Sequence, residues 1–382
     1  MALSASDSLG TFDQTAKNLD LEPVLATVLL ADTALLGLIG MGTPARGIKH
    51  EFNEDALNDY FVQASEAIDA SETDITFDDL SKIRVGAVLK NVAAGKSELI
   101  LCTAIAADNL SGTFTRGYGT TDGETHDDDS QWMIVGMPVQ HGDETIADIS
   151  AVRTTAFNYC QEFKRTVKIA DQLMAEAMNG LHPGVPDELK YQVIQRTLEI
   201  KRELNTTAIH MVISAAPSDA VYGTMKGLRE YLTVSGGNNI STEEGLSEKV
   251  VNKLYRQAWD DGGDPRDLIG GADQITQFAG FNAGKVRVAP SDRVAGVFVE
   301  KYLTEYGAEL SLTLDRWFQK SEVALIQKDK VWISPFQGRA LVGEPLARIG
   351  NAQRWQISGS MTLVVKNASK AHAYHTNLTV PA

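Results

Sequence analysis

The side chains best suited to metal binding or nucleophilic chemistry are seven histidines, at positions 50, 126, 141, 183, 210, 372 and 375, and two cysteines, Cys102 and Cys160. Their spacing assigns them neither task. His372 and His375 stand at i and i+3 of a segment that reads as a strand, where a period of two puts them on opposite faces and away from a shared metal. Neither HExxH nor GxSxG occurs. The cysteines make no CxxC and no Cys/His ligand pattern, so both read as buried or reduced thiols rather than a disulfide or a zinc site. Gly37, Gly40 and Gly42 spell GxxGxG, which reverses the dinucleotide fingerprint and follows no expected strand; a helix end and a turn is the simpler reading. His126, Asp127, Asp128 and Asp129, with Asp122 and Glu124 upstream, offer oxygen ligands. They lack the alternating carboxylates, central Gly and closing Glu of an EF-hand, and read as a solvated loop. Lys164, Arg165 and Lys168 are too few for a nucleic-acid patch and read as solvated charge beside a strand. A triad assembled from distant positions such as His210 and Asp260 is the enzymatic reading that spacing leaves open. No catalytic, cofactor-binding or metal-ligating residue is assigned, and no cofactor is implied.

The elements that would position these groups belong to a chain of 382 residues with 43% hydrophobic and 22% charged residues, ordinary for a protein that buries a full core. At about 150 residues per domain, two or three folding units are expected. Thirty-five Lys and Arg against 50 Asp and Glu leave a net charge of −15, the wrong sign for gripping phosphate backbones. Asp7, Asp13 and Asp20 against Lys17 do not make the basic start of a secretory signal. Residues 24–41 are the most apolar run, but Asp32 in its middle would cost about 3 kcal/mol in a bilayer, so the run reads as a segment packed on protein, with no membrane.

Pro23 and the glycines after Leu36 bracket a short helix over 23–36 on an extended arm. Short β-like runs follow at 75–77, 83–89, 98–105, 112–116 and 131–137, separated by turn residues, which is the pattern of a small barrel or sandwich. A strand is expected at 152–170, then a long helix from Asp187 to about Ile213 with Leu189, Val193, Leu198, Ile209 and Val212 on its apolar side. Further helices are expected at 245–259 and 273–278, and strands at 285–288, 308–314, 323–327, 331–333, 355–366 and 371–378. The order is α+β with antiparallel returns, without the βαβα rhythm of a nucleotide-binding sheet.

Several motifs, in order, resemble one family. They are Thr43-Pro44, His50-Glu51-Phe52 and Asp55; Asn158-Tyr159-Cys160-Gln161-Glu162-Phe163; and Glu188-Leu189-Lys190-Tyr191-Gln192 through Glu199, Lys201-Arg202 and Glu203-Leu204. Gly227-Leu228, Gly263-Asp264-Pro265, Tyr302 to Gly307, Leu346-Ala347-Arg348 and Met361 to Ala368 continue them. Together they resemble the major head proteins of tailed bacteriophages, in the subfamily named after phage SU-ten, over nearly the whole chain. The resemblance implies the Hong Kong 97 type capsid fold. It places an N-terminal arm at 1–56, an E-loop at 57–170 carrying a small β-barrel insertion at 72–141, a peripheral domain with a spine helix at 171–220 and 295–382, and an axial domain at 221–294. It further implies a structural protein that is not an enzyme and is located in the virion capsid after assembly in the host cytoplasm. Its copies would form pentamers and hexamers of an icosahedral shell enclosing double-stranded DNA without sequence-specific binding. The implied partners are a separate scaffolding protein, a portal and, in some relatives, a cement protein. Phe52 stands where relatives usually carry Trp, and no Lys and Asn pair for an intersubunit isopeptide bond can be placed. Two rivals are an encapsulin-like nanocompartment shell, which shares the fold, and a β-rich hydrolase.

Overall fold

The computed structural model describes residues 33–55, 58–139, 141, 148–150, 153–175, 188–218, 221–234, 237–281, 301–348 and 350–380. Residues 53–154 form one unit, and residues 1–52 with 155–382 form another.

The 53–154 unit is built on short alternating strands. Gln131–Gly136 turns Trp132 and Ile134 inward and Met133 and Val135 outward, as a period of two requires. The strands run in the order Phe61–Gln63, Gln131–Gly136, Val88–Asn91, Leu99–Ile105, Ser111–Thr115 and Asp74–Thr76, each antiparallel to its neighbours. An antiparallel bridge between Ala64 and Phe77 joins the last strand back to the first, so the sheet closes into a barrel and leaves no long edge to pair with another chain. Phe77 sits edge-on to Phe114 and Trp132, at 5.3 and 6.4 Å between centroids, in the core. The strand expected over 83–89 starts only at Val88. Residues 83–87 instead make tight turns, with Ile83 N–H donating to Leu80 O and Ala87 N–H to Arg84 O, and with Gly86 at φ +92°. Phe61–Gln63 was not anticipated, since three residues carry no visible period.

In the other unit, the long helix Glu188–His210 spans 23 residues, about 35 Å at 1.5 Å per residue. It packs on a sheet in which Gln161–Ala170 and Ala352–Val365 pair antiparallel, from Ala170↔Ala352 to Gln161↔Met361. Val331–Pro335 and Val342–Leu346 also pair with Ala352–Val365. Phe163, Ile357, Met361 and Leu363 meet Ile200, Leu204 and Ala208 of the helix in the core. The helix stops short of the expected Ile213, so Val212 lies beyond it and is 60% exposed. Leu198 is only half-buried; the buried side runs through Ile200, Leu204, Ala208 and Ile209. The expected strand over 152–170 is two strands, Thr154–Tyr159 and Gln161–Ala170, of which the first pairs with Lys49–Glu54.

A second core lies under a mixed sheet ordered Asn238–Ile240, Ala373–His375, Val323–Ile326, Asp267–Gly270, Glu309–Leu314 and Lys301–Leu303. Val323–Ile326 and Asp267–Gly270 are buried throughout, as befits inner strands covered on both faces. The helix Glu248–Asp260 supplies Val251, Leu254, Tyr255 and Ala258 at helical spacing to this core. The helix expected over 273–278 is two turns, Ala272–Ile275 and Phe278–Phe281. Of the expected strand 371–378 only Ala373–His375 is extended, after a helical turn at Ala368–Ala371. The strand expected at 285–288 and most of the helix expected at 23–36 lie outside the described residues; the described helical part is Ala34–Ile39. Among the described residues no helix is long and apolar enough to cross a membrane.

Candidate assembly surfaces

The groups singled out in the sequence do not converge. His372 and His375 are both fully buried but have different partners. His372 Nδ1 accepts from Gln327 N–H at 3.1 Å and its Nε2–H donates to Lys366 O at 3.2 Å; His375 Nε2 lies 3.2 Å from Glu244 Oε1. Burial pushes both imidazoles down, His372 to about 4. His210 Nε2–H donates to Trp317 O at 2.6 Å, while Asp260 pairs with Arg256, so the two are held in separate local arrangements. Cys102 and Cys160 are buried free thiols, each pushed up by burial to about 11. Arg165 turns toward the long helix and pairs with Glu203 at 2.5 Å, whereas Lys164 and Lys168 are exposed on the opposite face of the strand. Gly40 ends its helix at φ +67°, and a Cβ on Gly42 would sit 2.0 Å from Trp332 Cδ1, so these glycines serve a cap and a close packing contact. Among the described residues no group of three or more His, Cys, Asp or Glu side chains is placed to hold a metal ion.

One reading needs correction. Asp127, Asp128 and Asp129 are exposed as a solvated loop requires, but His126 is 4% exposed and belongs to a buried polar cluster. Its Nε2–H donates to Glu98 Oε2 at 2.7 Å. Arg116 grips the same carboxylate with two bonds of 2.7 Å, and Gly117 and Glu124 add backbone N–H donors. Burial alone would raise the Glu98 carboxyl, yet Arg116, His126 and the two N–H groups hold it at about 2. The remaining Arg116 donors reach the carbonyls of Asp69, Glu72 and Glu124, so one side chain ties the turn at 69–72 to the loop at Glu124. Spacing missed this cluster because its members meet only when the barrel closes. A Glu leading an apolar strand and an Arg ending another are the faint sequence signal.

Two further buried carboxylates fix the other unit. Asp315 accepts from Leu35 N–H and Asn205 Nδ2 at 3.0 Å and from Trp317 N–H at 2.8 Å, while Asn205 Oδ1 accepts from Leu36 N–H at 3.2 Å. The short helix Ala34–Ile39 thus has its first N–H groups capped from distant elements. Glu322 accepts from Arg229 Nε at 2.9 Å and from Tyr374 OH at 2.7 Å.

Several large apolar side chains also stand at the surface among the described residues. Tyr222 is 92% exposed, Val234 76%, Met41 72%, Leu303 68% and Tyr60 67%. A groove of about 670 Å³ is lined by Ile48, Glu162, Lys164, Tyr222, Phe336 and Arg339. A smaller one of about 400 Å³ has Tyr255 stacked on Tyr306, exposed Trp259, and the ion pair of Arg266 with Asp264 at 2.7 Å.

Comparison with solved structures gives the fold. The cyanophage A-1(L) capsid subunit is similar over 97% of this chain and 98% of its own, with a TM-score of 0.52 at 12% identity. The capsid subunit of a native GTA particle is similar over 98% of this chain and 100% of its own, with a TM-score of 0.51 at 8% identity. A chain of the holo-SrpI encapsulin complex from Synechococcus elongatus PCC 7942 aligns over 60% of this chain and 78% of its own, with a TM-score of 0.41 at 11% identity. Among curated proteins none is matched. The architecture is the Hong Kong 97 type α+β capsid fold, with the barrel as an addition within it. Residues 8–379 match the SU10 major capsid protein family, and the chain belongs to it.

Proposed function

We propose that this major capsid protein assembles as pentamers and hexamers that close into an icosahedral head around double-stranded DNA. The family match over residues 8–379 carries this reading. It is supported by the exposed apolar side chains, since contact with neighbouring copies would bury Tyr222, Val234 and Leu303, as in obligate assemblies. The net charge of −15 suits a wall that must release its genome, because tight binding to phosphate would oppose movement of DNA. Within such a shell, residues 1–56 act as the arm and 57–170 as the E-loop with the 72–141 insertion. Residues 171–220 and 295–382 form the peripheral domain around the spine helix. Residues 221–294 form the axial domain, to which the strands Lys301–Leu303, Glu309–Leu314 and Val323–Ile326 add by pairing. Scaffolding and portal proteins guide closure in the host cytoplasm, and the chain has a structural role with no turnover.

Electron microscopy and sedimentation of the expressed chain, alone and with its neighbouring head genes, test this. Closed shells with five- and six-fold capsomers and nuclease-protected DNA in mature particles are expected. A small soluble oligomer under all conditions would refute the shell, and shells filled with a protein cargo instead of DNA would refute the genome container.

A further inference from the structure

One aromatic surface beside the second core serves no packing need. On the helix Glu248–Asp260, Tyr255 and Trp259 are four residues apart and so share a face. Tyr255 is buried and stacks on Tyr306 at 5.8 Å between centroids, whereas Tyr306 is 50% and Trp259 57% exposed. The three rings line one groove of about 400 Å³, within the roughly 300–1,000 Å³ usual for small-molecule sites. Gly262 and Gly307 also line it, at φ +86° and +79°; a Cβ on either would meet no atom within 4 Å and would project into open space. The polar part of the groove is a fixed pair. Arg266 Nε lies 2.7 Å from Asp264 Oδ1 and its Nη2 2.8 Å from Oδ2, and Tyr255 OH donates to Oδ1 at 3.0 Å. Arg266, and then Tyr255, hold the Asp264 carboxyl below its ordinary value, so it is a carboxylate. A guanidinium has five N–H donors and a carboxylate about four lone-pair sites, so about three donors and one acceptor are left over for a ligand.

We propose that this groove binds a neutral mono- or disaccharide, with a C–H face of a pyranose ring on Trp259 and its hydroxyls on Asp264 and Arg266. Charge decides the class of ligand. Asp264 and Arg266 are the charged side chains lining the groove, and they cancel. The open N–H groups of Arg266 repel a cation. Exposed Asp261, next to the lining Gly262, repels a phosphate or carboxylate, so a nucleotide is disfavoured as well. A polyol donates and accepts at adjacent hydroxyls, which matches a carboxylate held against a guanidinium. The weakly positive C–H groups of a pyranose suit the negative face of an indole, and burying that face removes exposed apolar surface that the fold leaves in water. The inference goes beyond the shell reading and does not rest on it.

The test applies the purified full chain, carrying a fluorescent label, to immobilised neutral oligosaccharides of glucose, galactose, mannose and N-acetylglucosamine. Sialylated and sulfated glycans and single-stranded DNA serve as charged controls, and any sugar that binds is titrated in free form by calorimetry. The expected result is saturable binding of at least one neutral sugar, unchanged in 0.5 M salt because no net charge is neutralised. Trp259→Ala and Asp264→Asn should each weaken it by about tenfold or more, and Trp259→Phe should keep part of the affinity. Tyr222→Ala, which removes a more exposed ring outside the groove, should leave it unchanged. Trp259 is exposed, so its variants should fold, and circular dichroism checks this. Failure of every neutral sugar to bind, stronger binding of the charged controls, or affinity that survives Trp259→Ala would overturn the proposal. A groove covered by a second copy of the chain would give the first of these results.

Discussion

At the scale of single residues, the strongest local commitment is the buried carboxylate of Glu98. Arg116→Ala removes its guanidinium partner and leaves the charge among the fixed donors of His126, Gly117 and Glu124. Breaking a buried pair from one side costs about 3–5 kcal/mol, so the barrel strands should lose hydrogen-exchange protection by a factor of at least about a hundred. Unchanged protection would mean that the pair is idle. Acid should act on two groups in different windows. Glu98 is held at about 2, below its ordinary 4.5, so its stabilisation is complete above pH 4.5 and lost as pH falls towards 2. His372 is pushed down to about 4, so the unfolded chain takes up its proton first. Stability should decline from pH 6.5 to about 4, by on the order of 3 kcal/mol. Exchange measured across this range should weaken around Ala373–His375 before it weakens in the barrel, and simultaneous loss would argue against the assignment.

Elements show which apolar positions matter. Leu204 is 3% exposed against Phe163 and Ile357, whereas Leu198 is half-buried. Leu204→Asp should therefore prevent soluble subunits from accumulating, at a cost of several kcal/mol, while Leu198→Asp should be the milder change; equal yields would show that the helix packs on another face. Residues 41–45 lie along Val331–Pro335, joined by parallel bridges at Met41↔Ile333 and Ala45↔Phe336. Gly42 permits this approach because any Cβ there enters the Trp332 ring. Gly42→Val should release the segment, seen as faster proteolysis between residues 40 and 50 with the long helix still protected. Intact resistance would place the tryptophan elsewhere.

For the whole molecule, the separate core of residues 53–154 suggests that the unit can be removed. The cut should be wider than the 72–141 insertion expected from the strand pattern, because Phe61–Gln63 and the turn at Ile68 are part of the closed barrel. Asp55 and Arg153 lie 3.5 Å apart as an ion pair, so a short Gly/Ser link between them bridges ends that already meet. Since closure cost varies slowly with loop length, the shortened chain should remain soluble and assemble into thermally weaker shells, measured by calorimetry and microscopy. Insoluble subunits would show that the unit is needed for folding.

Much of this was legible from local chemistry. Alternating apolar residues marked the barrel strands, and a 3.6-residue period marked the long helix to within a turn, since both depend on neighbours in sequence. The order of the family motifs carried the rest of the assignment. Tertiary structure alone decided which side of the long helix is buried, that Asp267–Gly270 is an inner strand, and that His126 leaves its acidic run for Glu98. It also decided that Asp315 and Asn205 cap a helix 280 and 169 residues away in sequence. The physical reason is the same in each case: the free energy of a buried polar group or an inner strand is set by partners distant in sequence, and only closure of the sheets brings them within hydrogen-bond reach.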